Sequence, residues 1–205
     1  GTMDPEAFAR LEVYFIAFAV AALLLAFVIL PLLVSALTPF GYRTVVGLCH
    51  EALITAFVAS SAFIVLPMLV ERIKALLAAQ GMDGDDARSS VDVVVPIAFV
   101  VPNAGKLLTL LFVPFAAWLS GDALGVGSYA TLFGAGIPTY FAKAQVALPF
   151  LMDLLGVHHD LFQLYIPSSI VTGKFDSMVT VMSLLALTLL TAAAVSGRLQ
   201  LVARR

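Results

Sequence analysis

Val93-Val94-Val95-Pro96-Ile97-Ala98-Phe99-Val100-Val101-Pro102-Asn103-Ala104-Gly105-Lys106 carries prolines, an asparagine, a glycine and a lysine inside an otherwise apolar run. Glycine and proline free backbone groups from a helix, and hydrocarbon offers those groups no partner. A lysine near the bilayer centre costs roughly 2.5–3.5 kcal/mol even on the lenient insertion scale, so it lines a cavity or has a partner. The stretch reads as a membrane helix broken at depth against protein or water.

Composition supports a membrane chain. Of 205 residues, 61% are apolar and only 12% charged, with a mean hydropathy of +1.05. A soluble domain is roughly 45–50% apolar and about 25% charged. So little charge excludes a cytosolic enzyme, and a net charge of −2 offers no basic surface for nucleic acid. The single cysteine, Cys49, excludes a disulfide framework or cysteine-cluster metal site and reads as inert packing. No basic leader with a small-residue cleavage site opens the chain. Beginning at Gly1, it is expected to be part of a longer protein.

Working outward, residues 13–37 form a charge-free run long enough to span, since about 20 residues cross the hydrocarbon. Pro31 is expected to kink its end, and Thr38-Pro39-Phe40-Gly41 to stop it. Residues 45–70 are broken in the middle by Ala59-Ser60-Ser61-Ala62, and residues 71–92 form an aqueous loop. Residues 93–119 are interrupted at Pro96 and again at 102–106, with Pro114 an ordinary kink. Residues 129–155 are broken at 134–139, and the last span, about 161–195, at 167–169 and 172–177.

The expected fold is an all-α integral membrane protein in which long spans alternate with two opposed re-entrant helical hairpins, an inverted repeat with broken helices at the midplane. Its single transmembrane domain divides into a span at 10–38, a first hairpin at 43–78, a cytoplasmic loop at 79–91, a broken span at 92–120, a second hairpin at 124–156 and a broken final span at 159–197. This topology places Arg43, Arg72, Lys74, Arg88, Arg198, Arg204 and Arg205 on the C-terminal side, against Arg10 on the other. The positive-inside bias makes the C-terminus cytoplasmic, in a plasma or inner membrane. Five full crossings would split those basic residues between the two sides, so the re-entrant reading is preferred.

The segments resemble the dicarboxylate/amino acid:cation symporters, the glutamate-transporter fold, over nearly the whole chain. Ala52 to Ser61, followed by Leu66-Pro67, is similar to the family's first hairpin, with its L-T-A-F, serine-rich tip and T-L-P. Pro102 to Lys106 lies where the family has N-M-D-G-T. Ala135-Gly136-Ile137-Pro138 resembles its A-G-V-P tip, and Asp176-Ser177-Met178-Val179 falls on R-T-M-V. The resemblance implies the C-terminal transport half of an elevator-type symporter for a small organic solute such as a dicarboxylate or amino acid. It further implies scaffold spans upstream and a homotrimer in the full-length protein. It places solute against Ser60, Ser61, Gly136, Ile137, Pro138, Asp176, Ser177 and Thr180, and an ion or its charge substitute at Asn103, Gly105 and Lys106.

The departures are chemical. The sodium-binding aspartates of the family become Ala104 and Leu184, the arginine that reads an acidic side chain becomes Asp176, and the solute-holding asparagine becomes Thr180. No organic cofactor is expected, and the coupling cation is left open between sodium and proton. Lys106 is a candidate for replacing sodium by charge, or for a buried pair with Asp176, since a lone buried charge is costly. The favoured expectation is the pair, which implies a neutral or zwitterionic solute; with Lys106 turned elsewhere, a cationic one follows. Gly136 is expected to approach solute at an extracellular gate. The alternative function is a membrane sensor or scaffold derived from a transporter. A purely structural bundle fits the polar breaks least.

Other motifs are weaker. His158-His159-Asp160 is expected to be a polar turn with a helix cap rather than a metal site. His50 and Glu51 read as interfacial. No strand precedes Gly134-Ala135-Gly136, so it is not a phosphate loop, and no serine–histidine–aspartate set suggests catalysis.

Overall fold

The computed structural model describes residues 5–82 and 84–199, with side chains from Arg10 onward, and among these the chain is helical without strands. Arg204 and Arg205, counted in the charge bias, lie outside the described residues. Three segments are long and apolar enough to cross a membrane: Arg10–Leu37, Asp85–Leu119 and His159–Val195.

The first span is α1 (Pro5–Leu24), a π-helical turn (Leu25–Ile29) and α2 (Leu30–Leu37). Pro31 has no N–H to bond the preceding turn. The irregularity therefore falls just before Pro31, and the Tyr42 hydroxyl donates to the Phe27 carbonyl at 2.7 Å. Thr38 turns extended and ends the helix.

The first hairpin is α3 (Tyr42–Ala59) and α4 (Leu66–Ala79). Its break falls where expected: Ser60 adopts the left-handed conformation at φ 52°. Ser61 N–H then closes on the Ala56 carbonyl at 3.1 Å. Arg72 of α4 donates to the Leu48 carbonyl at 3.1 Å and pairs with Glu51. Those contacts lay α4 back along α3.

The second span starts earlier than expected. Helix α5 (Asp85–Val100) takes in half of the anticipated 79–91 loop, because Asp85 and Asp86 occupy its first turn, where carboxylates offset the exposed N–H groups. Pro96 does not interrupt it. The break comes at Val101–Asn103, before α6 (Ala104–Leu108), a 3-10 turn (Thr109–Leu111) and α7 (Phe112–Leu119).

The second hairpin is α8 (Val126–Thr139) and α9 (Ala144–Leu154), and here the expectation is corrected. Gly134 to Pro138 are helical, and the turn lies at Tyr140–Lys143. Pro138 sits so near the end of α8 that its missing N–H costs one bond of the last turn, which Thr139 Oγ1 reinforces by donating to the Ala135 carbonyl at 2.5 Å.

The final span is corrected as well. Helix α10 (Phe162–Val195) runs 34 residues without a break. Pro167 falls in its second turn, and the hydroxyls expected to interrupt the helix bond back into it. Ser168 donates to the Tyr165 carbonyl at 2.8 Å, Thr172 to Ser168 at 3.2 Å and Ser177 to Gly173 at 2.8 Å.

Helix α10 is the centre of the molecule, packed by α1, α2, α3, α5 and α6. One end gathers the start of α1, the end of α7 and the start of α10. There Arg10 lies 5.8 Å over the Trp118 ring, and Tyr14 and Tyr165 both meet Phe112 edge-on. The other end gathers the close of α4, the start of α5 and the end of α10: Lys74 pairs with Asp92 at 2.7 Å, and Arg198 donates to the Gln80 carbonyl at 2.9 Å. The two hairpins reach the middle of α10 from these opposite ends. Phe57 of the first meets Phe175 at 5.1 Å, and Tyr140 of the second shares a cavity with Asp176.

Candidate functional site

Four segments meet around Asp176: the α5–α6 break, the 3-10 turn, the second hairpin's turn and the middle of α10. Asn103 is buried and caps α6, its Oδ1 accepting from the Lys106 backbone N–H at 3.2 Å. The same oxygen faces the Thr180 hydroxyl at 3.0 Å, and Asp176 Oδ1 lies 3.2 Å from that hydroxyl. One hydroxyl proton thus serves two acceptors, leaving the Asp176 carboxylate short of donors.

Gly105 makes the junction possible. A Cβ there would overlap Thr180 Oγ1 and come within 2.7 Å of Asp176 Oδ1 and 2.5 Å of the Asp176 carbonyl oxygen. Only a residue without a side chain lets α6 press this closely on α10.

Lys106 does not pair with Asp176. Its ammonium bonds the carbonyls of Phe99, Val100 and Val101 at 2.7, 2.8 and 3.4 Å and lies 5.6 Å from the Phe99 ring centre. The reason is local. Pro102 ends α5 with its last carbonyls unbonded, and the side chain one short turn later reaches them more directly than the carboxylate on α10.

A cavity of about 320 Å³ opens between these elements, lined by Lys106, Thr109, Tyr140, Lys143, Tyr165 and Asp176 among others. The Thr109 hydroxyl donates to the Lys106 carbonyl at 2.7 Å and lies 2.5 Å from the Tyr140 hydroxyl, which can donate to it in turn. Tyr140 and Tyr165 are buried, so the cavity has an aromatic wall, one acidic residue and two lysines, of which Lys106 is bonded to carbonyls and Lys143 is not.

Of the residues expected to meet solute, Asp176 lines this cavity and Thr180 bonds it from behind; of those expected at the ion site, Lys106 lines the cavity, and Asn103 and Gly105 lie against Thr180. Ser60 and Ser61 stand at the first hairpin's tip, beside Phe63, whose ring centre is 6.0 Å from that of Phe99. Ser177 bonds its own helix. Gly136 is buried against Leu110, whose Cδ2 a Cβ would approach to 2.9 Å, so its lack of a side chain serves helix packing, not a gate tip. Ile137 and Pro138 are exposed on α8. The sequence reading missed Thr109, Tyr140, Lys143 and Tyr165. A lysine inside an otherwise apolar segment was the available signal for Lys143, while the aromatics are indistinguishable in sequence from packing residues.

A 3-10 turn forms at His159–Leu161, with no side-chain cap from His158 before it; His159 instead pairs with Asp153 at 2.6 Å. Among the described residues, no group of three or more His, Cys, Asp or Glu is placed to hold a metal ion.

Three apolar spans, with a polar cluster where the broken second span and the second hairpin's turn meet the middle of α10, define a multi-pass α-helical membrane protein. The family model described as the Sodium:dicarboxylate symporter family matches residues 1–194, and the chain belongs to that family. No curated protein matches it. Membership carries transport of the symporter type, with a small solute and a lipid environment.

Proposed function

We propose that the chain is the transport domain of a secondary carrier. It would bind a small zwitterionic solute of the amino-acid class in the cavity between the second hairpin's turn and α10. The supporting observation is the Asp176 carboxylate, under-supplied with donors and facing a cavity that also holds Lys143. A solute ammonium on Asp176 and a solute carboxylate toward Lys143 complete both. Lys106 is committed to backbone carbonyls, so the charge left for solute is one negative and one positive. Two carboxylates on one solute would meet Asp176 with like charge, a costly arrangement in a dry site.

In this reading the hairpins are re-entrant, the second is the outer gate, and the domain moves as an elevator against scaffold spans of the same protein, within a trimer. The C-terminal end, where Lys74 and Arg198 lie, faces the cytoplasm of a plasma or inner membrane. The test is uptake of labelled L-serine, L-lysine and succinate into proteoliposomes by the full-length protein. Saturable L-serine uptake exceeding that of the other two supports the reading. Succinate preference would overturn the charge assignment, and absence of uptake of any amino acid or dicarboxylate in a folded sample would favour the sensor or scaffold alternative.

A further inference from the structure

The end of α5 is a cradle of three carbonyl oxygens around a cation, and the cation belongs to the chain. An ammonium has three N–H donors, and Lys106 Nζ finds three acceptors in Phe99, Val100 and Val101. Those carbonyls carry the partial negative charge of a helix C-terminus, and Pro102 prevents any following N–H from reaching them in helical register. None of the ion pairs among the described residues involves Lys106.

The residues present do not fit a sodium cage at this junction. Ala104 and Leu184 supply no carboxylate, and Leu184 is buried among apolar neighbours. Of the side-chain oxygens that remain nearby, Asn103 Oδ1 and the Thr180 hydroxyl bond each other, and the one carboxylate, Asp176, lines the cavity and is not among the groups bonded to the Lys106 ammonium.

We propose that the Lys106 ammonium is a tethered cation occupying a carbonyl site, so that the α5–α6 break and the solute cavity behind it are organised without a free alkali ion. A tethered charge stays within reach of its site at any external ion concentration, which removes the dependence of this junction on external sodium. The inference extends the carrier reading to its coupling, and because the cradle is also read out by stability, its failure and the failure of the carrier reading are distinguishable.

The experiment is thermal unfolding of the purified full-length protein in detergent, in sodium chloride against choline chloride at equal ionic strength. The wild type should melt at the same temperature in both. Lys106→Ala empties the cradle and should melt roughly 4–10 °C lower. Part of that loss should return with sodium or ethylammonium but not with choline, which is too large for the cradle. Lys106→Met, which keeps the bulk and removes the charge, should be destabilised without rescue.

Selective stabilisation of the wild type by sodium would overturn the proposal, and needs no variant to fold. So would a Lys106→Ala protein as stable as the wild type, or one whose loss no small cation repairs. Loss of L-serine uptake with the melting pattern intact would count against the carrier reading alone.

Discussion

Two proline-bearing spans cross at the middle of this molecule, and only one of them breaks. Pro102 ends α5, and the chain runs extended through Asn103 before α6 begins. Pro167 sits inside α10, which continues unbroken to Val195. Proline removes the same N–H in both places. The difference lies in where the proline falls, the second turn of α10 against the end of α5, and in what the neighbouring side chains bond. In α10 the nearby hydroxyls of Ser168, Thr172 and Ser177 fold back onto their own helix. At the α5 end, Asn103 caps the next helix and Lys106 takes the free carbonyls. A break inside an apolar span persists where the chain supplies it with partners.

The harshest way to break the comparison is Gly105→Ala. Its Cβ has no room against Thr180 and Asp176, so α6 must withdraw from α10. The expected loss is about 3 kcal/mol, at the upper end of overpacking costs, read by thermal unfolding. The equivalent change at Gly173, which has open space around its Cβ position, should be neutral or stabilising by several tenths of a kcal/mol, as for glycine in a helix interior. Equal losses at both would mean that α6 and α10 are not in contact.

Asp176→Asn comes next and separates the site from the fold. With no ion pair to break, and with an amide oxygen still able to face Thr180, it should change stability by less than about 1 kcal/mol. Solute binding should weaken by roughly 10- to 100-fold, the worth of a charge-assisted hydrogen bond, in a titration with L-serine. A variant that fails to fold would reinstate a structural role for the carboxylate.

Tyr140→Phe removes the hydroxyl shared with Thr109. It should cost about 1 kcal/mol and loosen the second hairpin's turn, seen as faster hydrogen exchange at residues 140–143. Unchanged exchange there would show that the turn is held by packing alone.

The smallest effect is expected at the opposite hairpin. Ser60 holds a left-handed backbone that glycine adopts without strain, so Ser60→Gly should stabilise by up to about 1 kcal/mol. Destabilisation would mean that the Ser60 side chain makes a contact worth more than its strain.

The comparison also shows how far a sequence carries. The three spans, the first hairpin's break at Ser60 and the α5–α6 break were legible, because charge-free length and clustered small or polar residues mark them without tertiary help. The second hairpin's turn was displaced from Gly136 to Tyr140–Lys143, since glycine beside proline has the same appearance whether it turns a chain or lets two helices touch. The expected break in α10 failed for a related reason: serine and threonine at depth can bond their own helix as readily as a ligand. In the site, Asp176 and Lys106 were identified by charge in an apolar run, but their partners were not. Pairing the two by proximity overlooked the carbonyls that Pro102 frees within Lys106's own reach. Tyr140 and Tyr165 gave no sign, being ordinary aromatic residues until the fold brings them to the cavity.

The most direct test of the account is L-serine uptake into proteoliposomes, with sodium replaced throughout by choline, compared between the full-length wild type and its Asp176→Asn variant. Saturable uptake by the wild type in choline, with the variant needing at least tenfold more solute to reach half its rate, is the predicted result. Uptake that stops when sodium is removed, or that is indifferent to Asp176→Asn, would contradict a carrier whose cation is Lys106 and whose solute anchor is Asp176.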